Sequence, residues 1–180
     1  KIPFLSDQAQ QRKYILVTCH RRENQNQALE NLCEGLKITA NELTNINIIF
    51  VMHANKKLKD RVKITLDGIK NIFLINPLPY QDFVYIMMNS KLIITDSGGI
   101  QEEAPSFKIP VLIFREHTER IEAVDAGCAK IIGTTTENLI KSIKKFFNNT
   151  EKFKFGQNPY GDGKASEKII NKIIKYLKNA

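Results

Sequence analysis

Three cysteines, no C-x-x-C pair and no apolar run long enough to cross a bilayer set the first limits on this 180-residue sequence. Cys19, Cys33 and Cys128 are odd in number and widely spaced. That argues against a disulfide framework and against a thiolate metal site, so reduced thiols packed as small apolar groups are expected. The opening residues Lys1-Ile2-Pro3-Phe4-Leu5-Ser6-Asp7 lack the apolar core of a signal peptide. The expectation is a soluble, cytoplasmic protein without a membrane partner. His20, His53 and His117 are far apart and none has a ligand partner at helical spacing, so no metal is expected. A formal net charge of +8 raises the question of nucleic acid. No basic stripe interleaved with aromatics, no zinc-finger spacing and no RNA-binding sheet signature accompanies it, so no nucleic-acid partner is expected. A basic surface equally suits small polyanions.

With 42% hydrophobic residues the chain can bury a sizeable core, most simply as one domain. Short apolar runs at residues 14–19, 46–52, 71–75, 92–95, 111–114 and 129–132 are rich in Ile, Val or Phe. They are continuous rather than alternating, the pattern of parallel strands buried on both faces. Between them Leu29, Leu32, Cys33, Leu36, Ala40 and Leu43 recur at helical spacing, as do Leu139, Ile140, Ile143 and Phe147. Such a βαβ series predicts an α/β fold with a doubly wound parallel sheet, Rossmann-like, in which ligands bind beyond the carboxyl ends of the strands. Residues 14–163 form this domain in our reading. Residues 164–180 read as a C-terminal amphipathic helix, with Ile169, Ile170, Ile173, Ile174 and Leu177 on one face and lysines on the other. The expectation is that this helix docks on protein.

Two segments carry chemistry. Asp96-Ser97-Gly98-Gly99-Ile100-Gln101-Glu102-Glu103-Ala104-Pro105 follows the apolar stretch Lys91-Leu92-Ile93-Ile94-Thr95. It reads as a strand ending in a Ser-Gly-Gly turn that opens a helix, so free N–H groups and the positive end of the helix dipole converge where a phosphate or diphosphate could sit. Glu102 and Glu103 fall about one turn into that helix, where a carboxylate can take up a ribose diol. The alternative is a tight turn and nothing more. Thr18-Cys19-His20-Arg21-Arg22-Glu23-Asn24, at the end of the first strand, combines a titratable group with fixed cations. It suits an anionic ligand, or else Glu23 neutralises the arginines internally. Both segments follow strands directly and should share one rim.

These two segments, together with Arg115-Glu116-His117-Thr118-Glu119-Arg120-Ile121-Glu122-Ala123, Gly127 and Asn158-Pro159-Tyr160-Gly161-Asp162-Gly163, closely resemble the bacterial non-hydrolysing UDP-N-acetylglucosamine 2-epimerases, in order and spacing along nearly the whole chain. The resemblance implies the C-terminal, nucleotide-sugar-binding half of a two-domain glycosyltransferase-B architecture, with residues 1–13 as part of the interdomain linker. It implies an isomerase that interconverts UDP-GlcNAc and UDP-ManNAc by eliminating and re-adding UDP, without cofactor or metal, to supply ManNAc units for surface polysaccharide. It also implies a homodimer in the complete enzyme. The carboxylates that move the C2 proton lie in the family's N-terminal domain, so an N-terminal partner, missing or separately encoded, is expected. A hydrolysing 2-epimerase, the nucleotide half of a glycosyltransferase-B sugar transferase, and an inactive UDP-binding remnant are the alternatives.

The resemblance also assigns roles. Ser97, Gly98 and Gly99 would hold the diphosphate and Glu103 the ribose hydroxyls. Phe83 would contact the uracil ring, with the backbone near Leu78 pairing to its edge, although Phe83 equally reads as a core residue. Arg120 would reach the phosphates with Arg115 close by, while the residues alone also allow ion pairs with Glu119 or Glu122. His20 would sit beside the sugar and the leaving diphosphate as the catalytic group. In some relatives the equivalents of Arg21 and His53 help bind a second, activating UDP-sugar. Here Lys56 ends a His-x-Asn-Lys segment where the family usually shows His-x-Asn-Pro, Ile121 stands for a usual proline, and Asn26-Gln27 replaces a glycine-containing turn.

Overall fold

The computed structural model describes residues 14–178. The linker expected at residues 1–13 lies outside them. Six strands, β1 (Tyr14–Thr18), β2 (Asn47–Val51), β3 (Ile72–Ile75), β4 (Leu92–Thr95), β5 (Val111–Ile113) and β6 (Ala129–Ile131), form one sheet in the order β3-β2-β1-β4-β5-β6. Every pairing is parallel. Each strand falls within its predicted run, and five of the six are shorter than that run by one residue or two.

Among the described residues seven α-helices connect and flank the strands: α1 (Gln27–Glu42), α2 (Lys56–Leu66), α3 (Tyr80–Met88), α4 (Gly98–Glu103), α5 (Ile121–Asp125), α6 (Thr136–Phe147) and α7 (Ala165–Lys178). The two-residue period of a strand sends alternate side chains to opposite faces. On β1, Ile15 and Val17 join an apolar cluster built with Leu29, Leu32 and Leu36 of α1, Leu58 and Val62 of α2, and Leu139 and Ile143 of α6. Tyr14 and Leu16 join the opposite cluster, with Ile86 and Met87 of α3, Ile100 of α4 and Ala123 of α5. Both faces are therefore covered, which is why the strands read as unbroken apolar runs. Cys19, Cys33 and Cys128 are buried free thiols within these clusters, and burial raises the pKa of each.

The sheet winds outward from β1 to β3 in one direction and from β4 to β6 in the other, so the order reverses between β1 and β4. Loops that leave these two adjacent strands must diverge to opposite faces, and a crevice opens between them. The segment after β1 begins at Cys19 and His20, and the one after β4 at Asp96 and Ser97. The predicted shared rim is therefore the switch point of the sheet.

Helix α7 is amphipathic as expected, yet none of its residues is buried, and Ile169, Ile170, Ile173, Ile174 and Leu177 are 44–68% exposed. Its expected docking surface is not found among the described residues. No helix among the described residues is long and apolar enough to cross a membrane.

Candidate functional site

Asp96 organises the rim from below. It is fully buried at the end of β4, where a carboxylate is tolerated only with hydrogen-bond donors around it. It accepts from the backbone N–H of His20 at 3.0 and 3.1 Å, from the backbone N–H of Arg21 at 2.9 Å and from Asn24 Nδ2 at 3.1 Å. Buried Asn24 also donates to the Phe114 carbonyl at 3.1 Å, tying the loop to the end of β5. One aspartate thus holds the His20–Asn24 loop against the Ser-Gly-Gly turn. Below it, the buried hydroxyls of Thr18 and Thr95 meet at 2.7 Å.

The turn itself differs from expectation in one donor. Ser97 caps α4 without a side-chain capping bond, and its backbone N–H is spent on Thr95 Oγ1 at 3.0 Å. The first backbone groups of a helix have no intrahelical acceptor. Those of Gly98 and Gly99 are left for an anion, together with the Ser97 hydroxyl. Gln101, fully buried, donates from Nε2 to the Ser97 carbonyl at 3.1 Å and accepts from Thr118 Oγ1 at 2.6 Å, coupling the turn to the loop after β5.

That loop delivers Arg120. A Cβ built on Gly98 would stand 3.2 Å from Arg120 Nε and 3.3 Å from its Cζ, so the guanidinium lies against the glycine and a side chain there would displace it. Arg120 Nε also donates to Glu102 Oε1 at 2.7 Å. Arg115 is not among the atoms nearest Gly98. Its side chain, 11% exposed, pairs with Glu119 at 2.7 Å and lies 3.3 Å from Glu23. Glu119 collects Arg21 at 2.5 Å, Arg115 at 2.7 Å and Arg120 at 3.0 Å. The ion pairs anticipated for Arg115 and Arg120 thus form with Glu119. A hydrogen bond from its own backbone N–H and those from Arg115 and Arg21 hold its carboxyl down at about 2. Glu23 contributes to the same cluster, 4.0 Å from Arg21. Internal charge neutralisation is extensive here, because three arginines from two loops meet three carboxylates, Glu23, Glu102 and Glu119, and the Arg120 guanidinium still lies against Gly98.

His20 is half-buried, and its ring centroid lies 5.4 Å from that of His53, which follows β2. Burial lowers the pKa of His20, with Asp96 opposing and His53 adding to the effect, so the ring is neutral near pH 7. His53 Nδ1 accepts from the Asn55 N–H at 2.9 Å. His117 is exposed on the loop after β5. Among the described residues no group of three or more His, Cys, Asp or Glu side chains is placed to hold a metal ion.

The residues expected to meet a nucleoside also gather. Leu78 and Phe83 are partly buried against the apolar cluster containing Ile86 and Ile100. Glu103, the last residue of α4, hydrogen-bonds the exposed Tyr80 at the start of α3, and its charge raises the Tyr80 pKa. Tyr80 was not singled out from sequence, where it reads as one aromatic beside a proline. Around the changed turn at Asn26-Gln27, Arg61 of α2 donates to the carbonyls of Gln25 and, at 3.0 Å, of Asn26.

The chain can now be set beside known proteins. A family model described as UDP-N-acetylglucosamine 2-epimerase matches residues 3–174. A UDP-N-acetylglucosamine 2-epimerase of Campylobacter jejuni is 49% identical over 171 residues, covering 93% of this chain and 45% of its own length. A crystal structure of the Neisseria meningitidis UDP-GlcNAc 2-epimerase bound to UDP-GlcNAc superposes with a TM-score of 0.88 at 38% identity, covering 97% of this chain and 47% of that one. The S. aureus MnaA–UDP structure gives a TM-score of 0.91 at 40% identity, covering 99% and 49%. This chain spans about half the length of the relatives it matches. The glycosyltransferase-B-type C-terminal domain expected from the sequence is the fold that these likenesses show.

Proposed function

The chain belongs to the UDP-N-acetylglucosamine 2-epimerase family, and from that premise we propose that it forms the UDP-binding half of an enzyme interconverting UDP-GlcNAc and UDP-ManNAc. The observation that carries the reading is the approach of the Arg120 guanidinium to Gly98 at the sheet's switch point, with the His20 loop tied to the same rim through Asp96. In this reading the two N–H groups and the Ser97 hydroxyl hold the diphosphate, and Arg120 adds a charge-assisted contact. Glu103 takes the ribose hydroxyls, Phe83 the face of the uracil and the backbone at Leu78 its edge. Arg115 supports the cluster through Glu119 and Glu23.

The reaction breaks the C1–O bond to the diphosphate with loss of the C2 proton, then restores the bond with C2 inverted. The substrate supplies its own leaving group, and positive charge at the phosphates stabilises the departing UDP. A neutral imidazole beside that group can donate an N–H hydrogen bond to the oxygen that gains charge, which is the role assigned to His20. The carboxylates that move the C2 proton are assigned to the half of the family's length outside these 180 residues. The complete enzyme is assigned a homodimeric state and a cytoplasmic setting, and the product the role of a ManNAc source for surface polysaccharide.

Incubation of the chain with UDP-GlcNAc, alone and with an N-terminal half supplied in trans, tests the reading. Formation of UDP-ManNAc only in the complemented reaction is expected. Free ManNAc would mark a hydrolysing relative, and UDP binding without turnover in either reaction a remnant.

A further inference from the structure

The segment Asn158-Pro159-Tyr160 contacts both elements that carry the Glu102–Arg120 pair, although neither polar side chain reaches the Gly98 turn. Tyr160 is half-buried, packed on the apolar cluster that contains Ala123. Its hydroxyl donates to the Arg120 carbonyl at 3.0 Å and accepts from the Ala123 N–H at 3.1 Å. Arg120 is the residue that caps α5, and it makes no side-chain capping bond of its own. In most helices a Ser, Thr, Asp or Asn at that position would take up the exposed N–H. Here a hydroxyl from forty residues downstream does so, and in doing so grips the backbone of Arg120 itself.

Asn158 reaches the other side. Its Nδ2 donates to the Glu102 carbonyl at 3.1 Å and to Ser106 Oγ at 2.6 Å, while its Oδ1 accepts from the Tyr160 N–H at 3.0 Å. The turn closes at Gly161, whose φ of +121° favours glycine. With the Arg120 Nε to Glu102 Oε1 bond at 2.7 Å the contacts make a closed circuit: Glu102 backbone, Asn158, Tyr160, Arg120 backbone, Arg120 guanidinium, Glu102 carboxylate.

An arginine on a short surface helix would otherwise sample many rotamers. The circuit fixes both ends of its side chain and leaves the guanidinium against Gly98. We propose that Tyr160 and Asn158 are positioning residues that hold Arg120 in place for a nucleoside diphosphate, through the bonds of Tyr160 to the α5 cap and of Asn158 to the end of α4. The proposal rests on the UDP-binding reading of the Gly98 turn and extends it to two residues that touch no ligand.

Calorimetric titration of the 180-residue chain with UDP and, separately, with uridine tests it. Tyr160→Phe keeps the ring and removes both hydroxyl bonds. It should weaken UDP about five- to tenfold, the scale of one lost positioning interaction, and leave uridine unchanged. In an Arg120→Ala background the same change should have no further effect on UDP, because the two residues act as one unit. Asn158→Ala, which opens the circuit from the other side, should repeat the pattern. Without ligand, the Arg120 Nε–H resonance should exchange slowly in the wild type and rapidly in Tyr160→Phe. Equal losses for UDP and uridine, or an undiminished loss in the Arg120→Ala background, overturn the proposal. A wild-type chain that binds no UDP overturns the nucleotide reading instead, and the Arg120 resonance then decides the positioning claim.

Discussion

Asp96 Oδ1 accepts the backbone N–H of His20 at 3.0 Å, joining residues seventy-six positions apart at the ends of the two strands between which the sheet reverses. The bond is made to the His20 backbone, so the aspartate places the loop whatever the histidine side chain does. Removing it would leave the Asn24 amide and the amides of His20 and Arg21 short of an acceptor in a buried setting.

Asp96→Ala should therefore destabilise the chain by about 3 kcal/mol, the range for losing a charged acceptor that serves several buried donors. Asn24→Ala, which removes one donor, should cost about 1 kcal/mol. Urea unfolding of both variants checks the order. Equal, small losses would mean that water reaches Asp96 and that the rim is held elsewhere.

At Gly98 the close approach of Arg120 makes a side chain costly to ligand and arginine alike. Gly98→Val should weaken UDP by at least about tenfold, and Arg120→Ala by a similar factor, from the loss of a charge-assisted contact worth about 1.5–3 kcal/mol. Calorimetry that returns wild-type affinity for Gly98→Val would remove the turn as the phosphate site.

Glu119 gives the pH dependence. Its carboxyl is held at about 2 against an ordinary 4.5, so the unfolded chain takes up this proton first as pH falls. The stabilisation is complete above 4.5 and is lost as pH falls towards 2. Wild type should exceed Glu119→Gln in stability at pH 6, with the gap closing by pH 2.5. Urea unfolding at the two values measures it, and a gap that does not change with pH would show that the arginines do not hold Glu119.

The strands and the doubly wound class were legible because a parallel strand buried on both faces leaves a continuous apolar run. Strand order was not, since β4 could follow β3 in space as it does in sequence, and only packing puts it beside β1. The Ser-Gly-Gly turn and the His20 loop were visible as motifs. The side chains beneath them were not: nothing in the motifs marks Asp96, Asn24 and Gln101 as buried polar residues, yet all three are buried as the frame that holds the two loops together. The Ser97 N–H was counted as a ligand donor because nothing in the sequence says that Thr95 turns its hydroxyl towards it. The proximity of His20 and His53 had a signal, as both lie just beyond strands that are consecutive in sequence.

His20 itself separates chemistry from stability. Its anchor to Asp96 is a backbone bond that alanine keeps, and its half-buried ring packs beside His53 rather than in either apolar cluster. His20→Ala should therefore change stability by no more than about 1 kcal/mol. His20 is assigned to the departing diphosphate, where a ring kept neutral by burial can donate a hydrogen bond, so the same substitution in the complete enzyme should lower kcat by about a hundredfold or more. UDP affinity of this chain should change little, because the diphosphate is assigned to Gly98, Gly99 and Arg120. Thermal unfolding, calorimetry and turnover read the three consequences independently. A large loss of stability would make His20 a structural residue, and unchanged turnover would remove it from the chemistry.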